Sequence, residues 1–97
     1  MRIIALSRLR DYWEEHPQVE VPLRSWYALA SRSTWNTPAD IKAAYRNASF
    51  LSGNRVVFNI KGNDVRLIVA VHYDRQIMYV RFICDHQEYD AIDASTV

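Results

Sequence analysis

NRVVFNIKGNDVRLIVAVHYDRQIMYVRFICDHQEYDAI, residues 54–92, decides the fold. Two turn sequences divide it. Gly62-Asn63-Asp64 carries turn chemistry, because Gly and Asn accept left-handed backbone and Asp bonds its own main chain. Asp74-Arg75-Gln76 makes the second turn. Between them the chain alternates with period two, the signature of strands. Val56, Phe58 and Ile60 alternate with Arg55, Val57, Asn59 and Lys61. Val65, Leu67, Val69, Val71 and Tyr73 alternate with Arg66, Ile68, Ala70 and His72. Met78, Val80 and Phe82 alternate with Ile77, Tyr79, Arg81 and Ile83. Short turns make these three strands an antiparallel meander. The last two are apolar on both parities, which places them centrally under a cover of helices. Asp85 followed three residues later by Glu88 spells a capping box, so a short helix carrying Tyr89 and Ile92 closes the stretch.

Working back from the sheet, the N-terminal half supplies the cover. Arg2 to Ala5 reads as a short strand at a sheet edge or beside a central strand. Ser7 is the expected cap of a first helix, whose stripe of Leu6, Leu9, Tyr12, Trp13 and His16 recurs at helical spacing. Pro17 ends it. A second helix starts between Glu20 and Pro22 and buries Leu23, Trp26, Tyr27 and Ala30, with Arg24 and Arg32 outside. Ser31 to Asn36 reads as loop. Thr37-Pro38-Ala39-Asp40 starts a third helix, with Thr37 as cap and Ile41, Ala44 and Tyr45 inward. Ser49 to Gly53 reads as the loop into the sheet. Helices followed by a meander and a terminal helix give an α+β fold, with N-terminal helices packed on a central antiparallel sheet.

Length and composition limit what this fold can serve. Residues 1–97 are expected to form one domain. Twelve basic and eleven acidic side chains nearly cancel, so nucleic-acid binding must rest on where the charges sit. A single cysteine, Cys84, allows no internal disulfide and suits a reducing cytoplasm. No apolar run is long enough to span a bilayer, and the apolar start is too short for a signal-peptide core. The three histidines are scattered without matching acid or Cys spacing, so neither metal nor other cofactor is expected.

Strand parity alone gathers Asn59, Lys61, Arg66 and Arg81 on one face of the sheet. Guanidinium forks match phosphate oxygens. The same face also reads as a solvated surface whose arginines pair with Asp64, Asp74 and Glu88. His86 and Tyr89 stand where sheet gives way to helix. Cutting RNA through its 2′-hydroxyl needs a base, an acid for the leaving 5′-oxygen and cations for the phosphorane, and His86 with Arg66 and Arg81 offers these roles. The alternative is a solvent-exposed His and a Tyr resting on the sheet. His16 and His72 carry less: one precedes a proline, the other edges the sheet. Trp13 and Trp26 belong to the core by spacing, whereas Trp35, in a loop, is open to a partner. Cys84 reads as buried and inert.

These segments together resemble the HigB family of bacterial toxins, within the wider RelE/ParE-like group. The likeness runs through MRII, LRSWYALA, PADIKAAYRNASFL, NRVVFNIKGNDVRLIVAVHY and YVRFICDHQEYDAIDAST. It implies a RelE-like fold and an endoribonuclease, an mRNA interferase acting on messenger RNA at the 70S ribosome. It also implies a HigA-type helix-turn-helix antitoxin as partner. By the same resemblance Arg55, Lys61, Arg66 and Arg81 match the family's basic positions, and His86, Glu88 and Tyr89 match its His-x-Glu-Tyr motif. The implied catalytic set is His86, Arg66, Arg81, Tyr89 and Lys61. The implied RNA-binding set is Arg55, Asn59, Lys61, Arg66 and Arg81. Cys84-Asp85 stands where the family commonly has Gly-Thr. Asp85 keeps the capping role but adds a negative charge beside the phosphate site, and Cys84 requires no positive φ there. The ParE branch of the group leaves a second reading, a non-enzymatic or gyrase-directed toxin held by its antitoxin.

Overall fold

The computed structural model describes residues 1–61 and 64–97. Gly62 and Asn63, at the centre of the first expected turn, lie outside the described residues. The chain runs β1 (Arg2–Ile4), α1 (Leu6–Glu15), α2 (Glu20–Arg32), α3 (Pro38–Ala44), β2 (Ser49–Leu51), β3 (Arg55–Ile60), β4 (Val65–His72), β5 (Ile77–Asp85) and α4 (His86–Asp90). A 3-10 turn, Pro17–Val19, links α1 to α2. The architecture is α+β. One sheet has the order β1-β5-β4-β3-β2. β3, β4 and β5 form the expected antiparallel meander, and β1 joins the β5 edge in parallel.

Local chemistry explains most boundaries. Thr37 accepts from the Asp40 amide while the Asp40 carboxylate accepts from the Thr37 amide, closing a capping box with Pro38 in the first turn. The first helix departs from expectation. Its N-cap is Ala5, in extended backbone and without a side-chain cap, so Ser7 lies inside the helix and does not cap it. The reason is the short connection: β1 ends at Ile4 and the chain bends straight into the helix. Helix α2 runs on to Arg32, beyond the expected loop start at Ser31. The stretch 49–53 is not simply loop, since Ser49–Leu51 pairs antiparallel with β3. The turn back uses Gly53 at φ +72° and Asn54 at φ 58°, the two residue types that enter left-handed backbone most cheaply. Ala44, expected inward, is exposed.

The main core lies between the helices and one sheet face. Leu9, Leu23, Trp26 and Ile41 from the helices meet Phe58, Leu67, Val69 and Met78 from the strands. Trp35 belongs here too. It is 5% exposed and sits edge-on to Tyr45, so it is a core residue and not a free partner contact. The loop carrying it is pinned by Gln76, whose side-chain amide donates to the Trp35 carbonyl at 2.9 Å.

The largest departure from the expected pattern is in β5. Ile68 pairs with Phe82 and Val69 with Val80, so Arg81 is an extra residue in the ladder, a β-bulge. Alternation is reset there. Met78 and Val80 face the helices, but beyond the bulge Ile83 takes that side and Phe82 moves to the other. The second face is not open. The chain beyond α4 folds back across it, and Ala94 is buried with Val57 and Ile68 among Leu51, Phe82, Tyr89, Ile92 and Val97. A sheet apolar on both faces is thus covered on both, by helices on one side and by α4 with its tail on the other.

Candidate functional site

At the end of the sheet where β3 finishes and β4 begins, a cleft of about 410 Å³ opens between the α1–α2 corner and the start of α4. Its walls include Tyr12, His16, Lys61, Asp64, Asp85 and His86. Each arrives by a local rule. His86 is the first residue of α4, which is started by Asp85: its carboxylate accepts from the Glu88 amide at 2.7 Å, and Glu88 reaches back to the Asp85 amide. The capping box read from the sequence therefore aims the histidine. Lys61 follows β3 with φ 52°, and its ammonium lies 4.0 Å from Asp64. Both partners of this pair are substantially exposed, so it is a weak, solvent-screened contact that leaves the ammonium able to meet an anion. Tyr12 and His16, one turn apart on α1, stack with ring centroids 4.3 Å apart. Burial pushes the Tyr12 phenol above its ordinary value, and Glu88, Asp85 and Cys84 push it the same way. The phenol thus stays protonated and is a hydrogen-bond donor at the cleft.

The residues singled out in the sequence separate into groups. His86 and Lys61 share the cleft. Arg66 and Tyr89 meet on the second face, the guanidinium 5.6 Å from the ring centroid. Arg66 pairs in the ladder with Asn59 on one side and Cys84 on the other, so the expected neighbourhood of Asn59 and Arg66 is present. Arg55 and Arg81 both donate to the main-chain oxygen of Val97, at 3.1 and 3.3 Å. Simple parity had put Arg81 beside Arg66; the bulge instead ties it to the tail. Asn59 and Lys61 also border a shallower groove with Pro22, Trp26 and Tyr45. His72 sits at the opposite end of β4, edge-on to Tyr79 at 5.2 Å, away from the cleft residues. Tyr12, His16 and Asp64 were not picked out as site residues. The stripe that marks α1 as amphipathic also marks Tyr12 as core, and nothing short of the 3-10 turn tells where His16 ends up.

Cys84 is fully buried beside Arg66. Burial pushes its thiol up to about 11, with Glu88 and Asp85 adding to the rise and Arg66 opposing it. Its backbone has no positive φ, as its replacement of glycine required. The thiol is expected to resist iodoacetamide at pH 8 in the folded chain and to react once urea unfolds it. Because the folded thiol holds its proton to higher pH than the unfolded one, its contribution to stability is complete below about 9 and is lost as pH climbs toward about 11. Urea midpoints across that range, compared with Cys84→Ala, read the effect.

The family model for the HigB toxin, the RelE-like toxic component of a toxin-antitoxin system, matches residues 19–92. The chain belongs to the HigB toxin family. Its fold is therefore the RelE-like one that the resemblance implied. Relatives in the family include the mRNA interferase toxin HigB of Escherichia coli K12, 29% identical, with 97% of this chain and 92% of that protein covered. The mRNA interferase HigB of Shigella flexneri is equally similar. That of Escherichia coli O6:H1 is 26% identical, over 95% of this chain and 91% of its own length. As HigB relatives are toxic components of two-part systems, an antitoxin is the natural partner of this chain. Among the described residues no helix is long and apolar enough to cross a membrane.

Proposed function

We propose that this chain is an endoribonuclease that cuts messenger RNA on the translating ribosome by general acid–base attack of the 2′-hydroxyl. The observation that carries the reading is the placement of His86 and Lys61 in one cleft at the sheet end. His86 takes the 2′-proton, and the freed oxygen attacks phosphorus. The Lys61 ammonium offsets the charge gathering on the phosphorane. Arg66 with Tyr89, and Arg55, Asn59 and Arg81 beyond them, hold the flanking RNA backbone. A HigA-type helix-turn-helix antitoxin silences the chain by covering these groups. The names of its relatives, mRNA interferases, support this over a gyrase-directed role.

The test is a messenger-cleavage assay with purified protein in EDTA, with and without 70S ribosomes, and with cut ends mapped by primer extension. Attack by the 2′-oxygen leaves a 2′,3′-cyclic phosphate or its 3′-phosphate product and a 5′-hydroxyl. Intact messenger together with inhibited DNA supercoiling by gyrase would replace this reading with the ParE-like one.

A further inference from the structure

A 2′-hydroxyl mechanism needs two proton-transfer groups, and His86 supplies one. Of the three histidines, the fold sends His72 to the far end of β4 and brings His16 into the cleft that holds His86 and Lys61. His16 is well held. It is the C-cap of α1, its main-chain amide donating to the Tyr12 carbonyl at 2.9 Å, and its ring is stacked 4.3 Å from that of Tyr12 with 28° between planes. The arginines named from the sequence do not line this cleft: Arg81 is bound to the tail and Arg66 is stacked on Tyr89. A guanidinium in any case does not give up a proton near neutral pH.

We infer that His16 is the general acid that protonates the leaving 5′-oxygen, the counterpart of His86 across the cleft. This rests on the nuclease reading above. The step is balanced: His86 accepts the 2′-proton, the O2′–P bond forms, the P–O5′ bond breaks, and the imidazolium proton of His16 passes to O5′. The products are a 2′,3′-cyclic phosphate and a 5′-hydroxyl end. Around His16 stand Tyr12 from its own helix, Lys61 and Asp64 between β3 and β4, and Asp85 and His86 at the start of α4. Tyr12 keeps its proton, and Asp64 and Asp85 bring carboxylates to the same cleft.

The test uses a short messenger, free and on 70S ribosomes, with the bridging 5′-oxygen at the mapped cut site replaced by sulfur. A thiolate leaves without a proton. His16→Phe keeps a ring against Tyr12 and removes the proton; His16→Ala removes both. Under single-turnover conditions both variants are expected to cut ordinary RNA about 10²–10⁴-fold more slowly, and to regain most of the wild-type rate on the sulfur substrate. The wild-type pH profile is expected to be bell-shaped, and His16→Phe is expected to lose the fall on the alkaline side. A His16→Phe protein that cuts ordinary RNA at the wild-type rate overturns the inference and leaves a packing role only. An equal loss on both substrates also overturns it. If wild type cuts neither RNA, the nuclease reading itself falls, a result distinct from either.

Discussion

Replacing His86 by alanine is expected to slow messenger cleavage by about 10²–10⁴-fold, the usual contribution of a general base, and to abolish growth arrest on induction. The structure makes this a clean experiment. His86 is exposed and belongs to neither core cluster. The start of α4 is held by Asp85 and Glu88, which close the capping box without the histidine. Far-UV circular dichroism and the urea midpoint are therefore expected to stay at wild-type values, within the roughly 0.5 kcal/mol typical of surface changes. Cleavage is measured by primer extension on messenger from induced cells and by single turnover in vitro. A His86→Ala protein that still cuts at the wild-type rate would remove the central residue of the proposal.

The second large effect is structural. Phe58→Ala is expected to cost about 3–5 kcal/mol, a large share of the roughly 5–15 kcal/mol that holds a small domain together. Phe58 is 1% exposed at the middle of the main core. Trp26 from α2 meets its ring edge-on at 5.3 Å, and Tyr45, just after α3, does so at 5.2 Å. One ring on β3 thus joins two of the helical elements to the sheet. A cavity there is bounded by stiff aromatic neighbours that relax poorly, which favours the upper end of the range. Urea unfolding reads the loss as a lower midpoint at unchanged slope. An effect below about 1 kcal/mol would mean that Trp26 and Tyr45 collapse into the space.

Much of the fold was legible because period and punctuation agreed. The period-two run from Arg55 to Arg81 named the meander, and Thr37-Pro38-Ala39-Asp40 and Asp85 with Glu88 named two helix starts to the residue. What escaped depends on tertiary placement. β2 is three residues long and exists because β3 offers it an edge. Trp35 looks like a loop residue until Gln76 pins the loop over the core. The covered second face was half visible, since Val57, Ile68 and Phe82 are apolar, but no local pattern says that Ala94 and Ile92 fold back over them. At the site, the sequence singled out His86 and Lys61, which share the cleft, and set aside His16, which joins them. Residues on different elements come to line one cleft through tertiary packing, which is written in no spacing.

Arg81 sets the phase of everything after it. With one residue more in β5 than β4 opposes, the last four positions of the strand are counted half a period late, and α4 leaves the sheet rotated to match. A strand that instead paired Arg81 with Ile68 would run an unbroken ladder. It would turn Ile83 toward the tail and Phe82 toward the helices, and it would carry the start of α4 to the opposite side. The orientation of His86 is therefore metered by residue count as much as by residue type. Single-residue insertions or deletions between Phe82 and Asp85 are expected to misplace His86 more than most substitutions along the same strand.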